Sequence, residues 1–230
     1  MNKLTIILAA LLIFLSGVFV FANNNKNSSA TSEEIQAKDF GYLLGTLDGI
    51  SDELLKQHFK LYQGYVKSLN NLNSKLKECK NCPGNATYSE YRAINISKPF
   101  AQNGVVLHEL YFSNLSGVKT SPSETLNKYL TRDFGSYENF ISELKEAAKS
   151  ARSGWVITGY NRLDNRIYNY VIDLHDEHVP VLVEPLLVFD VWEHAFAVDY
   201  GIDKPAYINA FVKNIDWNSV SKRLDNILYK

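Results

Sequence analysis

The sequence predicts an α+β protein: an N-terminal antiparallel α-hairpin, then a lobe of helices packed on a small three-stranded antiparallel sheet. Three observations predict it. Between residues 54 and 76, Leu54, Leu55, His58, Phe59, Tyr62, Tyr65, Val66, Leu69, Leu72 and Leu76 recur at steps of three and four. That is one face of a long amphipathic helix. Residues 105–115 are apolar on nearly every side, as a buried second helix requires. Further on, residues 155–160, 166–174 and 183–189 are β-branched and aromatic runs, which read as strands.

The chain has 230 residues. It starts Met1-Asn2-Lys3, with one positive charge, followed by an uncharged and mostly apolar stretch over 4–22. That order is the pattern of a secretory signal peptide with cleavage after Ala22. An uncleaved anchor is the alternative, since the stretch is almost long enough to span a bilayer. Either way the rest of the chain is expected outside the cytoplasm, in a periplasm or the extracellular space. Residues 23–38 carry runs of Asn and Ser without apolar periodicity, and read as a flexible spacer. The hairpin domain then covers 39–117 and a mixed C-terminal domain 118–230.

Within the hairpin, Ser51-Asp52-Glu53 opens the first helix, because Ser caps and acids favour the first turn. Residues 79–98, with Pro83-Gly84, read as a turn-rich link. Ser121-Pro122-Ser123-Glu124 has the form of a capping box with Pro at the first helical position. It starts a helix ending near Asp133, and Ser136 begins another running to about Arg152. Residues 161–165 form the hairpin turn between the first two strands. After Pro205 two short helices are expected, the second from near Trp217.

Formal net charge is −1 and no basic block exists, which argues against nucleic acid as a partner. The two cysteines, Cys79 and Cys82, are expected to close a short disulfide. Pro83, not His, follows the second of them, so a c-type haem is excluded.

The chemistry rests on the histidines. There are five: His58, His108, His175, His178 and His194. His58 lies on the apolar face of the first helix and His108 in the middle of the buried second one. A buried imidazole needs a partner for each ring nitrogen. Asp190 closes the apolar strand, and an unpaired charge there is costly. His194 follows four residues later. A cation would offset the charge and engage both groups. Three imidazoles and one carboxylate suit iron or manganese, and zinc on ligand type alone.

The segment Asp190-Val191-Trp192-Glu193-His194-Ala195-Phe196 resembles the C-terminal metal motif of the iron/manganese superoxide dismutase family. Tyr207-Ile208-Asn209-Ala210-Phe211 and Asn214-Ile215-Asp216-Trp217 resemble its last helices. Upstream, Ile50-Ser51-Asp52-Glu53 leading to His58 and His108-Glu109-Leu110-Tyr111-Phe112 resemble its two other ligand segments. The resemblance extends from about Phe40 to the end. It implies one iron or manganese ion per chain, held by His58, His108, Asp190 and His194. The reaction implied is disproportionation of superoxide to dioxygen and hydrogen peroxide.

The resemblance also assigns Tyr65 to the substrate channel. A Gln or His of the family hydrogen-bonds solvent at the metal. Gly104 stands where the helical lobe would supply that group, so it is expected from His175-Asp176-Glu177-His178, with His178 preferred to His175. Three departures stand out. His58 and Tyr65 are one residue closer than usual. The family's interface histidine is absent, with Leu61 and Tyr62 in its neighbourhood. Ala197 replaces its partner tyrosine. Glu193 remains, and implies a homodimer with Glu193 at the interface. The rivals are a non-haem iron oxygenase, disfavoured by the fourth ligand, and a catalytically silent metal-binding or structural relative.

Overall fold

The computed structural model describes residues 34–229. The signal peptide expected over 1–22 lies outside the described residues. From Glu34 onward the chain forms one compact unit. None of its described helices is long and apolar enough to cross a membrane.

The expected class is the observed one. Helix α1 (Asp52–Glu78) starts at Ser51, whose side chain accepts a hydrogen bond from the Leu54 N–H. It buries Leu54, Leu55, His58, Tyr62, Val66 and Leu69. Helix α2 (Glu90–Phe112) returns beside it. His58 packs against Phe112, 4.9 Å between ring centroids, and Tyr65 against Gly104. Rising numbers on α1 meet falling numbers on α2, so the pair is antiparallel. The bridge Cys79–Cys82 closes the end of α1, where Cys79 is the cap.

Two helix starts differ from expectation. The stretch read as a link through 98 is helical from Glu90, because Ser89 caps it by accepting from the Arg92 N–H. Pro99 then sits inside the helix, where the missing N–H costs one rung. Helix α3 (Glu124–Phe134) is capped by Ser123, not Ser121. The Ser123 N–H donates to Ser221 Oγ at 3.0 Å, a tertiary contact that fixes the entry. Helix α4 (Tyr137–Ser150) follows from its cap Ser136.

The sheet comprises β1 (Trp155–Asn161), β2 (Arg166–Ile172) and β3 (Val183–Asp190), in the order β2-β1-β3. Both pairs are antiparallel, and Trp155 faces Ile172 on one side and Asp190 on the other. Gly154, with φ +143°, precedes Trp155; a Cβ there would lie 1.9 Å from the Ile172 carbonyl oxygen. Only glycine lets β1 begin so close to β2. The short helix α5 (Ala197–Tyr200), then α6 (Lys204–Lys213) and α7 (Trp217–Leu228), complete the fold.

The segment read as spacer through Lys38 is anchored from Ile35. Asn70 accepts from the Ile35 N–H at 3.0 Å and donates to its carbonyl at 2.8 Å. The Lys38 N–H donates to Tyr62 Oη at 2.9 Å. Tyr62 in turn donates to Glu109 Oε1 at 2.8 Å.

Candidate metal centre

Four side chains from four places in the chain meet where the hairpin abuts the sheet. His58 comes from the first third of α1, His108 from the last turns of α2, and Asp190 from the end of β3. His194 lies in the 3₁₀ turn Glu193–Ala195. His58, His108 and Asp190 are buried, and the His194 side chain is 27 % exposed. Their nitrogen and oxygen atoms all lie within 4.8 Å of one another. Asp190 Oδ2 is 3.1 Å from His58 Nε2, 3.3 Å from His194 Nε2 and 3.7 Å from His108 Nε2. The other carboxylate oxygen, Oδ1, accepts from the Trp192 N–H at 3.0 Å.

Local structure sets the ring orientations. The Gly104 carbonyl, one turn back on α2, lies 2.5 Å from His108 Nδ1. A carbonyl only accepts, so Nδ1 carries the proton and Nε2 presents a lone pair. That Nε2 is buried and has no hydrogen-bond partner. An orphaned imidazole lone pair beside a buried carboxylate is an arrangement that a cation completes. Three nitrogens and one oxygen converging on one point fit iron, manganese or zinc.

Electrostatics agree. Burial alone would raise the Asp190 carboxyl, but His194 and His58 outweigh it and hold the group below the usual carboxylate range. Burial lowers His58, against the pull of Asp190. Burial and then His58 push His108 down to about 3. His58 and His108 are therefore neutral at neutral pH, as imidazoles that bind a cation must be.

Tyr65 borders the cluster, half-buried, with its ring 5.3 Å from that of His108. Seven residues separate it from His58, two turns of regular α-helix, and α1 is unbroken α-helix over this span. The shortened spacing thus puts both side chains on one face. A Cβ on Gly104 would lie 2.7 Å from Tyr65 Cδ1 and 2.8 Å from Cγ. Gly104→Ala should therefore displace the Tyr65 ring while leaving His108 in place. We expect a severalfold loss of turnover with unchanged metal content; a variant of wild-type activity would refute this seating.

The preference for His178 is corrected. His178 is exposed on the loop between β2 and β3, with φ +61°. His175 is fully buried, its ring 4.8 Å from Tyr65 and 5.9 Å from His108. The Trp155 indole N–H donates to His175 Nδ1 at 2.9 Å. An indole nitrogen only donates, so His175 Nδ1 is the acceptor and Nε2 carries the proton. That Nε2–H is buried and unpartnered. Burial pushes His175 down to about 4.

A largely buried three-histidine, one-carboxylate cluster at the seam of a helical hairpin and a three-stranded α+β lobe is the kind of site that mononuclear metalloproteins carry. Residues 122–223 match the family described as iron/manganese superoxide dismutases, C-terminal domain. The chain is 40% identical over 187 residues to the superoxide dismutase [Fe] of Aquifex pyrophilus, covering 79% of this chain and 87% of that one. It is 34% identical over 181 residues to the superoxide dismutase [Fe] of Methanothermobacter thermautotrophicus, covering 77% and 87%. It is also 34% identical over 178 residues to the superoxide dismutase [Mn] 1 of Halobacterium salinarum, covering 76% and 87%. The chain belongs to the iron/manganese superoxide dismutase family.

Proposed function

We propose that this chain is a superoxide dismutase that holds one iron or manganese ion between His58, His108, Asp190 and His194. The observation that carries this is the convergence of those four donors within 4.8 Å, with His108 Nε2 buried and unpartnered. When bound, the ion supplies one-electron redox chemistry, by which two superoxide anions and two protons give dioxygen and hydrogen peroxide.

The chain's own residues do the rest. Asp190 brings one negative charge among imidazoles, which favours the more oxidised state of a cation. His175 Nε2–H, its proton fixed by Trp155, serves as the donor towards solvent in the site. Tyr65 lines the approach. Burial, and then the charge of Asp190, raise its phenol, so it stays protonated and available as a hydrogen-bond donor.

The test is superoxide consumption by the purified protein, with metal content determined on the same sample. Activity proportional to bound iron or manganese supports the reading. A loaded but inactive protein refutes it. Within this scheme His175→Ala should lower activity about 10- to 100-fold while most of the metal is kept, and His178→Ala should change neither. Equal loss of metal and activity in His175→Ala would count against a tuning role.

We further propose a homodimer formed through the face that carries Glu193. What supports it is the exposure of Glu193, Ala197 and Val198 together beside the metal centre. We also propose an exported protein, periplasmic or extracellular. The charge-then-apolar order of residues 1–22 and the bridged Cys79–Cys82 support this. Sedimentation and compartment fractionation test the two statements separately.

A further inference from the structure

Two further phenols lie beside the donor cluster, Tyr111 with its ring 5.1 Å from that of His58 and Tyr207 hydrogen-bonded to the Asp190 main chain. Tyr111 and Tyr207 are both fully buried, and their hydroxyls are 3.0 Å apart. The Tyr207 hydroxyl donates to the main-chain carbonyl of Asp190 at 2.8 Å. A phenol has one proton, and this bond uses it. Tyr111 must therefore be the donor in the contact between the two hydroxyls. The order of the chain is fixed by elimination: Tyr111 to Tyr207 to the Asp190 carbonyl.

Each link comes from a different element. Tyr111 is on α2, three residues beyond His108, with its ring 5.1 Å from that of His58. Tyr207 is on α6, stacked on Phe196 at 5.3 Å. The chain ends on β3 at the one residue whose carboxylate faces all three imidazoles. Asp190 is thereby held at two points: its carbonyl by Tyr207, and its Oδ1 by the Trp192 N–H at 3.0 Å. Oδ2 is left to face His58, His108 and His194. Buried groups held by several hydrogen bonds lose little freedom when a ligand arrives, which is how outlying partners tune a metal site.

We infer that Tyr207 is a positioning residue for Asp190, and that Tyr111 acts only through Tyr207. The inference rests on the four-ligand reading above. Neither phenol belongs to the donor cluster, so neither is a catalytic residue.

The experiment uses the metal-loaded protein and three variants, Tyr111→Phe, Tyr207→Phe and the double replacement. Phe keeps both rings, so packing is preserved and only hydroxyls are lost. Two quantities are read: the rate of metal loss to a chelator, and the ligand-field absorption band of the bound ion. We expect Tyr207→Phe to speed metal loss by about tenfold and to shift the band. Tyr111→Phe should do the same about threefold, and the double variant should match Tyr207→Phe, because residues acting in series are not additive. Wild-type loss rates with an unshifted band, whatever the melting temperature, would overturn the inference. So would single-variant effects that multiply in the double variant. A wild-type chain that takes up neither iron nor manganese overturns the four-ligand reading and this inference together. A normally loaded wild type with unaltered variants overturns this one alone.

Discussion

Asp190→Asn should empty the metal centre while leaving the fold intact. The replacement keeps the shape and the oxygen that accepts from the Trp192 N–H. It removes the only carboxylate in a cluster whose other three members are imidazoles. Removing one partner from a buried charged constellation costs about 3–5 kcal/mol. At about 1.4 kcal/mol per decade, ion affinity falls roughly 10²- to 10⁴-fold. Activity should fall with it, since the redox chemistry leaves with the ion. Metal analysis after dialysis and a circular dichroism spectrum check both halves. A variant that retains wild-type metal content would show that Asp190 is not a ligand.

The ion-free protein should lose stability steeply as pH falls below about 6.5. His58, His108 and His175 all titrate below the ordinary imidazole value in the folded chain, at about 3 for His108 and about 4 for His175. In that interval the unfolded chain binds protons that the folded chain refuses. Stability therefore rises with pH across it: it is fully present above about 6.5 and drains away towards pH 4 and below. Asp190 acts in the same direction at the acid end. Its carboxyl is held below the usual range, so its contribution persists above that range and is lost as pH falls through the folded value. The urea midpoint of the ion-free chain, measured from pH 7.5 to 4.5, should drop with a slope of up to three protons. His175→Gln should remove one of the three. A midpoint independent of pH would mean that these imidazoles are not buried neutral.

The four donor residues that the fold brings together were legible in the sequence, three of them because they break an apolar pattern. His58 interrupts a helix face, His108 a helix apolar all round, and Asp190 the end of a strand. Tyr65 shared the face of His58 and was found with it. The choice between His175 and His178 was not legible. Both lie in His-Asp-Glu-His, a polar loop with no period to orient either ring. What decides is the Trp155 indole, 20 residues back in the chain. The early start of α2 was hidden for a different reason. Residues 90–98 are largely polar, and Pro99 reads locally as an interruption, whereas Ser89 and packing against α1 carry the helix through it. At Ser121-Pro122-Ser123 two serines offered themselves as caps. The hydroxyl of Ser221, distant in sequence, settled which one the chain uses.

The four candidate ligands come in two pairs, His58 and His108 from the hairpin, Asp190 and His194 from the sheet lobe. An ion held by both pairs is a rivet across a seam, and a rivet is set when the seam closes. Three of the four donor residues are buried, so we expect exchange to be slow once the seam has closed. The choice between two cations of similar chemistry then becomes a matter of supply at the moment of closure. On that expectation, the ion abundant where the chain completes its folding would be the one favoured.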